Sequence, residues 1–102
     1  MNIDNLIQSV ESISKVYAMK HGIERSSDWF LLKLQEELGE LTQAHLKVSG
    51  RARKKDLSDS EIKAALAAEA ADVLCHVLLY AMHHNIDLNK AVEKKWLAWL
   101  EK

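Results

Sequence analysis

Between Ser58 and Asn85 the sequence has no polar side when wound on a helical wheel. Ile62, Leu66, Val73, Val77 and Tyr80 define one apolar stripe, while Leu74, Cys75, Leu78, Leu79 and Met82 cover the remaining faces. A helix that is apolar all round must be buried all round. A chain of 102 residues has too few other helices to wrap it. Its back face, with Leu74, Leu78 and Met82, is therefore expected to pack on a second copy of the chain. Ser58-Asp59-Ser60-Glu61 has the capping-box spacing that starts such a helix, and Asn85 can close it in the left-handed conformation.

The rest of the chain reads as helices too. Proline is absent and glycine occurs only three times, so few positions interrupt helical structure. Ile3, Leu6, Ile7, Val10, Ile13, Val16 and Tyr17 recur at helical spacing to Lys20, with Gly22 as the stop. Ser27 is placed to cap a second helix that runs to Val48 and stops at Ser49-Gly50. Asp87 is placed to cap a fourth, from Leu88 to Leu100, which turns Leu88, Ala91, Val92, Trp96 and Trp99 inward. Between the second and third lies Arg51-Ala52-Arg53-Lys54-Lys55-Asp56, four cations in five residues without apolar periodicity, hence an exposed loop. It reads as a solvated charge run; its alternative reading places it at the mouth of a site for an anionic substrate. The expected fold is all-α: four helices in a single domain over residues 1–102.

Composition narrows the function classes. A net charge of −1 gives no reason to expect nucleic acid as a partner. The most apolar run, Val73 to Met82, is too short for a bilayer, and polar residues near the N-terminus interrupt any secretory core. The lone cysteine, Cys75, reads as a reduced core thiol. The expected setting is cytoplasmic, with no membrane partner.

Chemistry concentrates in acids. In the second helix Leu34, Leu38 and Leu41 form an apolar stripe, and Glu37 and Glu40, one turn apart, project from its shoulder beside Glu36. Like charges at that spacing repel. Glu69 and Asp72 repeat the arrangement on the third helix, and Glu69 falls within its apolar stripe. A buried carboxylate must be paired, protonated or coordinated. Acid-rich helix surfaces are common, and Lys33 or Lys95 can serve as a counter-ion. Two matched pairs, one of them in an apolar stripe, favour a bound cation. All-oxygen ligands suit Mg²⁺, with Mn²⁺ as substitute. A di-iron bundle needs Glu-x-x-His, and no glutamate here has histidine three residues later. His76, four after Asp72, and His45 read as core histidines, and His83 and His84 suit a helix C-terminus.

Lys33-Leu-x-Glu36-Glu37-x-Gly39-Glu40-Leu41-x-x-Ala44, followed by Glu69-x-x-Asp72 and Asp87-Leu88-x-x-Ala91 with Lys95, resembles the MazG-like nucleotide pyrophosphohydrolases. The likeness spans about residues 27 to 100 and implies a four-helix MazG-like bundle completed by oligomerisation, as a homodimer or homotetramer. It implies Mg²⁺-dependent hydrolysis of a nucleoside triphosphate to monophosphate and pyrophosphate, with nucleotide-pool house-cleaning as one setting. By position, Glu37, Glu40, Glu69 and Asp72 would be metal ligands, and Glu36 an outer ligand or the base. Lys95 would contact phosphate, Lys33 would also face substrate, and Trp29 could stack on a base. Phe30 reads as core. No nucleobase signature is recognisable. The competing expectation is a non-catalytic helical module for oligomerisation or partner binding, with a structural metal site.

Overall fold

The computed structural model describes residues 2–101. The described residues form four α-helices, α1 (Ile3–His21), α2 (Ser27–Val48), α3 (Asp59–His83) and α4 (Leu88–Lys95), followed by a 3-10 turn at Leu97–Glu101. Among the described residues there is no strand, so the chain is all-α as the periodicity requires.

Local chemistry sets the helix ends. Asn2 caps α1 by accepting from the Asn5 N–H at 3.2 Å, and Gly22 ends it with φ 63°, where a side chain would be strained. At α2 the cap is Ser26, one residue before the expected Ser27; its Oγ accepts from the Trp29 N–H at 3.1 Å. Both arms of the expected capping box form at α3. The Glu61 N–H donates to Ser58 Oγ at 3.2 Å, and the Ser58 N–H donates to Glu61 Oε1 at 3.0 Å. The bond from the Ser58 N–H, aided by the Ser58 side chain, holds the Glu61 carboxyl below its ordinary range. Asn85 adopts φ 56° after α3, and Asp87 caps α4.

The centre of the fold is the antiparallel hairpin of α2 and α3, with α1 laid along the flank of α3. On α2 the deepest residues are Phe30, Glu37 and Ala44, spaced seven apart. Leu34 and Leu41 flank that line half-buried, and Leu38 turns outward. This rotation places Glu37 on the buried seam rather than on its shoulder. Phe30 is core, stacked on the His83 ring with centroids 4.5 Å apart. On α3, Ile62, Leu78, Leu79 and Ala81 are buried.

Further expectations from the wheel fail. Leu78, expected on the outer face, is 2% exposed. It lies at the end of α3 where α1 packs and where the chain folds back, the Ile86 N–H donating to the Ala81 carbonyl at 2.8 Å. His45 is exposed rather than core, with Nε2 3.4 Å from an Arg51 guanidinium nitrogen. The fourth helix ends at Lys95, not Leu100, and every residue from Asn89 to Glu101 is exposed. No neighbouring helix covers Val92 and Trp96, so nothing stabilises a longer helix there. An Asn89–Asp4 hydrogen bond of 3.5 Å tethers α4 to α1.

α1 also departs from its wheel. Ser14 and Ala18 are buried, whereas Ile13, Val16 and Tyr17 are exposed. The whole is flat and open, 47 × 42 × 23 Å. Its radius of gyration is 16.2 Å, against about 13 Å for a compact unit of this length.

Candidate functional site

Antiparallel pairing of α2 and α3 brings the two acidic pairs to one level of the seam. Glu37, Glu40 and Glu69 each present a carboxylate oxygen within 4.8 Å of the others. Glu37 is the deepest, 7% exposed. Asp72 lies one turn beyond Glu69 and outside this trio, close enough that its charge acts on both Glu37 and Glu69.

The trio has little counter-charge. Among the described residues no lysine or arginine forms an ion pair with Glu40, Glu69 or Asp72, so the lysine partner considered for Glu69 is absent. Lys33 pairs instead with Glu36 at 3.3 Å and with Glu37 Oε1 at 3.8 Å. His76 Nε2 is 3.8 Å from the same Glu37 oxygen. Glu37 Oε2 and Glu69 Oε2 are buried with no hydrogen-bond partner.

Ionised, three facing carboxylates contain no donor to satisfy one another. One remedy is a proton. Burial first, then a hydrogen bond shared with Glu40 and the charges of Glu40 and Asp72, push the Glu37 carboxyl up to about 7. Burial and the charges of Glu40 and Asp72 raise Glu69 as well. The other remedy is a cation, which satisfies the orphaned oxygens without protonation. An all-carboxylate set of this kind fits a hard divalent ion.

Beside the acids, α1, α2 and α3 enclose a cavity of about 390 Å³. Val10, Ile13, Tyr17, Trp29 and Leu79 give it an apolar, aromatic wall, and Lys33, Glu37, Asp72, Cys75 and His76 form its polar floor. Cys75 is thus a half-buried cavity residue, its thiol pushed up by burial and by Asp72. His76 Nδ1 is buried without a partner; burial and Lys33 lower its pKa against the pull of Asp72 and Glu36. Burial would lower the Lys33 ammonium, but Glu36 and Glu37 outweigh it, and its pKa is raised.

The site therefore gathers Glu37, Glu40, Glu69, Asp72, Lys33 and Trp29, with Glu36 at the rim. Lys95 stands apart: it is exposed on α4, lines no described cavity and forms no ion pair among the described residues.

Sequence reasoning missed the support beneath the cavity. Arg25, in the connection between α1 and α2, grips Glu11 with two bonds of 2.6 and 2.9 Å and reaches Ser14 Oγ at 3.1 Å. Its guanidinium also lies over the Phe30 ring, 5.2 Å from the centroid. This clamp holds the α1 wall against α2. Fourteen residues separate the partners, beyond any within-helix spacing rule.

Comparison with known proteins agrees with this geometry. A family model described as phosphoribosyl-ATP pyrophosphohydrolase matches residues 7–95. No curated protein and no solved structure matches the chain. The matched span takes in α1 from Ile7 onward and the paired acids of α2 and α3, and runs to Lys95. The chain belongs to the phosphoribosyl-ATP pyrophosphohydrolase family, within the MazG-like all-α nucleotide pyrophosphatases.

Proposed function

We propose that the chain is a Mg²⁺-dependent pyrophosphohydrolase that cleaves a nucleoside triphosphate to monophosphate and pyrophosphate, with Mn²⁺ as a substitute ion. The observation that carries the reading is the convergence of Glu37, Glu40 and Glu69, two of their oxygens buried and unsatisfied, beside a cavity walled by Trp29 and Tyr17. Glu37, Glu40 and Glu69 would hold the ion, with Asp72 completing the set. When bound, it supplies charge neutralisation at the phosphates and a lower pKa for an attacking water.

The chain's own groups do the rest. The aromatic wall excludes water and offers Trp29 as a stacking face for the base. Lys33, half-buried at the cavity floor and positively charged, draws the phosphates toward the acids. Water attacks the α-phosphorus and the bond to the bridging oxygen breaks, releasing pyrophosphate. Glu36, held at the rim by Lys33, takes the water's proton. Phosphoribosyl-ATP, named in the family's description, is an ATP with an added phosphoribosyl group and carries the triphosphate this chemistry requires.

The exposed apolar surface supports assembly as a homodimer or homotetramer. Leu74 and Met82 on α3, and Val92 and Trp96 on α4, face solvent in a single chain, Trp96 at 69% exposure. Light scattering is expected to find at least a dimer at micromolar concentration; a well-folded monomer would refute it.

The test of activity is a panel of canonical and damaged nucleoside triphosphates together with phosphoribosyl-ATP, scored with Mg²⁺ for pyrophosphate against orthophosphate. Pyrophosphate release from at least one member is expected. Orthophosphate alone, or no turnover with either Mg²⁺ or Mn²⁺, would refute the reading. Lys95→Ala, with Lys94→Ala as control, tests the phosphate role assigned to Lys95 by resemblance. Turnover should fall only in the first, with Mg²⁺ binding intact.

A further inference from the structure

The acids border two cavities, not one. Further along the seam a second cavity, of about 260 Å³, opens between the C-terminal half of α2 and the N-terminal half of α3. Its walls are Glu40, Gln43, Ala44, Lys47, Leu57, Ile62, Ala65 and Glu69, none of them shared with the first. The carboxylates divide between the two: Glu37 and Asp72 face the aromatic cavity, Glu40 and Glu69 the second.

The second cavity has no aromatic side chain and gives a base nothing to stack on. It does offer donors. The Gln43 amide and the Lys47 ammonium flank Glu40 on the same helix face. Lys47 is half-buried, and among the described residues its side chain has no ion pair or hydrogen bond. Other cations nearby are engaged: Lys54 pairs with Asp59 at 3.4 Å, and Arg51 bonds Ser49 at 3.0 Å.

The cationic loop leads into this cavity through Leu57. Backbone bonds from Arg51 and Ala52 to the Leu46 carbonyl, at 2.8 and 3.1 Å, turn the chain back after α2. Lys55 and Asp56 then take φ values of 49° and 66°, in the left-handed region, before Leu57 joins the cavity wall. Four cations in five residues (Arg51, Arg53, Lys54 and Lys55) thus gather at one end of the seam. The carbonyl end of α2 lies here too and is unfavourable to anions by itself. The loop's charge offsets it.

We propose that this second cavity seats the pyrophosphate end of the substrate, with Lys47 as the anchoring cation and the Arg51–Lys55 segment drawing the anion in. The inference rests on the hydrolase reading above and fixes the substrate's direction: base on the α1 side, leaving group toward the loop. The acids lie between, where the bond to be cut would sit. Lys47 neutralises charge on the departing pyrophosphate, and the loop cations Arg53 and Lys55, which form no ion pair among the described residues, raise the local anion concentration.

The test is calorimetric binding of inorganic pyrophosphate to the full chain with Mg²⁺, with a nucleoside monophosphate titrated separately. Lys47→Ala should weaken pyrophosphate binding about tenfold, as expected for loss of one charge-assisted contact of about 1.4 kcal/mol, and leave monophosphate binding unchanged. Arg53→Ala with Lys55→Ala should cause a smaller loss that disappears at high salt. Lys90→Ala, on exposed α4, is the charge control. Failure of wild type to bind pyrophosphate, equal losses for both ligands, or no effect of Lys47→Ala would each overturn the subsite. If the protein turns over no triphosphate, the hydrolase reading fails instead; normal turnover with Lys47-independent pyrophosphate binding overturns the subsite alone.

Discussion

Two glutamate sites in this chain have opposite surroundings. Glu11 on α1 is gripped by Arg25 and approached by Lys15 at 3.7 Å, and the hydrogen bond from Arg25 holds its carboxyl below the ordinary range despite burial. Glu37 on α2 is more deeply buried, and faces Glu40, Glu69 and Asp72 with Lys33 as a partial counter-charge; its carboxyl rises to about 7. Burial penalises both charges. The partner decides the outcome. Glu11 is satisfied within the fold and fastens a wall; Glu37 is left needing a proton or a cation. A buried carboxylate marks a site when the fold around it withholds the counter-charge.

The largest effect that can break this contrast is loss of turnover. Glu37→Gln, Glu40→Gln and Glu69→Gln should each lower pyrophosphate release by about 10³-fold or more, since removing one ligand forfeits several kcal/mol of charge stabilisation. The helical content should not change. In the absence of metal, Glu37→Gln should melt higher than wild type, because it removes a buried charge without its partner. Activity within a few-fold of wild type in all three variants would end the metal assignment.

Arg25→Ala should do the reverse. It strands Glu11 without its two-pronged partner and should lower stability by about 2 kcal/mol in urea unfolding, the scale for hydrogen bonds to charged groups. Arg25 touches none of the clustered acids, so Mg²⁺ affinity measured by calorimetry should stay at the wild-type value. A loss of Mg²⁺ affinity as large as that caused by Glu37→Gln would show that the clamp and the acid cluster are one unit.

How much of this was legible depends on whether local spacing determines it. Helix starts at Ser58 and Asp87 and the stop at Gly22 follow from contacts within a few residues, and they stand where the sequence places them. Glu69 is legible because a carboxylate stands out on a helix whose surroundings are apolar on every side. The depth of Glu37 was not legible, because the rotation of α2 about its axis is set by α3. On a helix apolar all round the wheel loses its phase, and Leu78 was assigned to the wrong face for that reason. The Arg25–Glu11 clamp joins two segments whose approach depends on the turn at Gly22. The inward stripe of α4 failed for a different reason: in a single chain Val92 and Trp96 are left largely facing solvent.

The smallest predicted effect is the most discriminating, because the two sites should titrate with opposite sign. Glu37 keeps its proton up to about pH 7 in the metal-free fold, but releases it near its ordinary 4.5 when the chain unfolds. Between those values the native state binds the extra proton, so stability falls as pH rises. Its contribution is complete below about pH 4.5 and gone above about 7. For Glu11 the native pKa is depressed. Its contribution is complete above about pH 4.5 and is lost as pH falls through the native value. In chelator, the melting temperature of Glu37→Gln should match wild type near pH 5 and exceed it at pH 8, by on the order of 5 °C. The deficit of Glu11→Gln should be present at pH 8 and shrink in strong acid. Saturating Mg²⁺ should reverse the Glu37→Gln difference at pH 8, because an ion bound only to the native wild type stabilises it, while leaving the Glu11→Gln deficit in place. If both differences instead moved in the same direction with pH, then Glu37 would have a counter-charge after all, and the seam would be an ordinary salt-bridged interface.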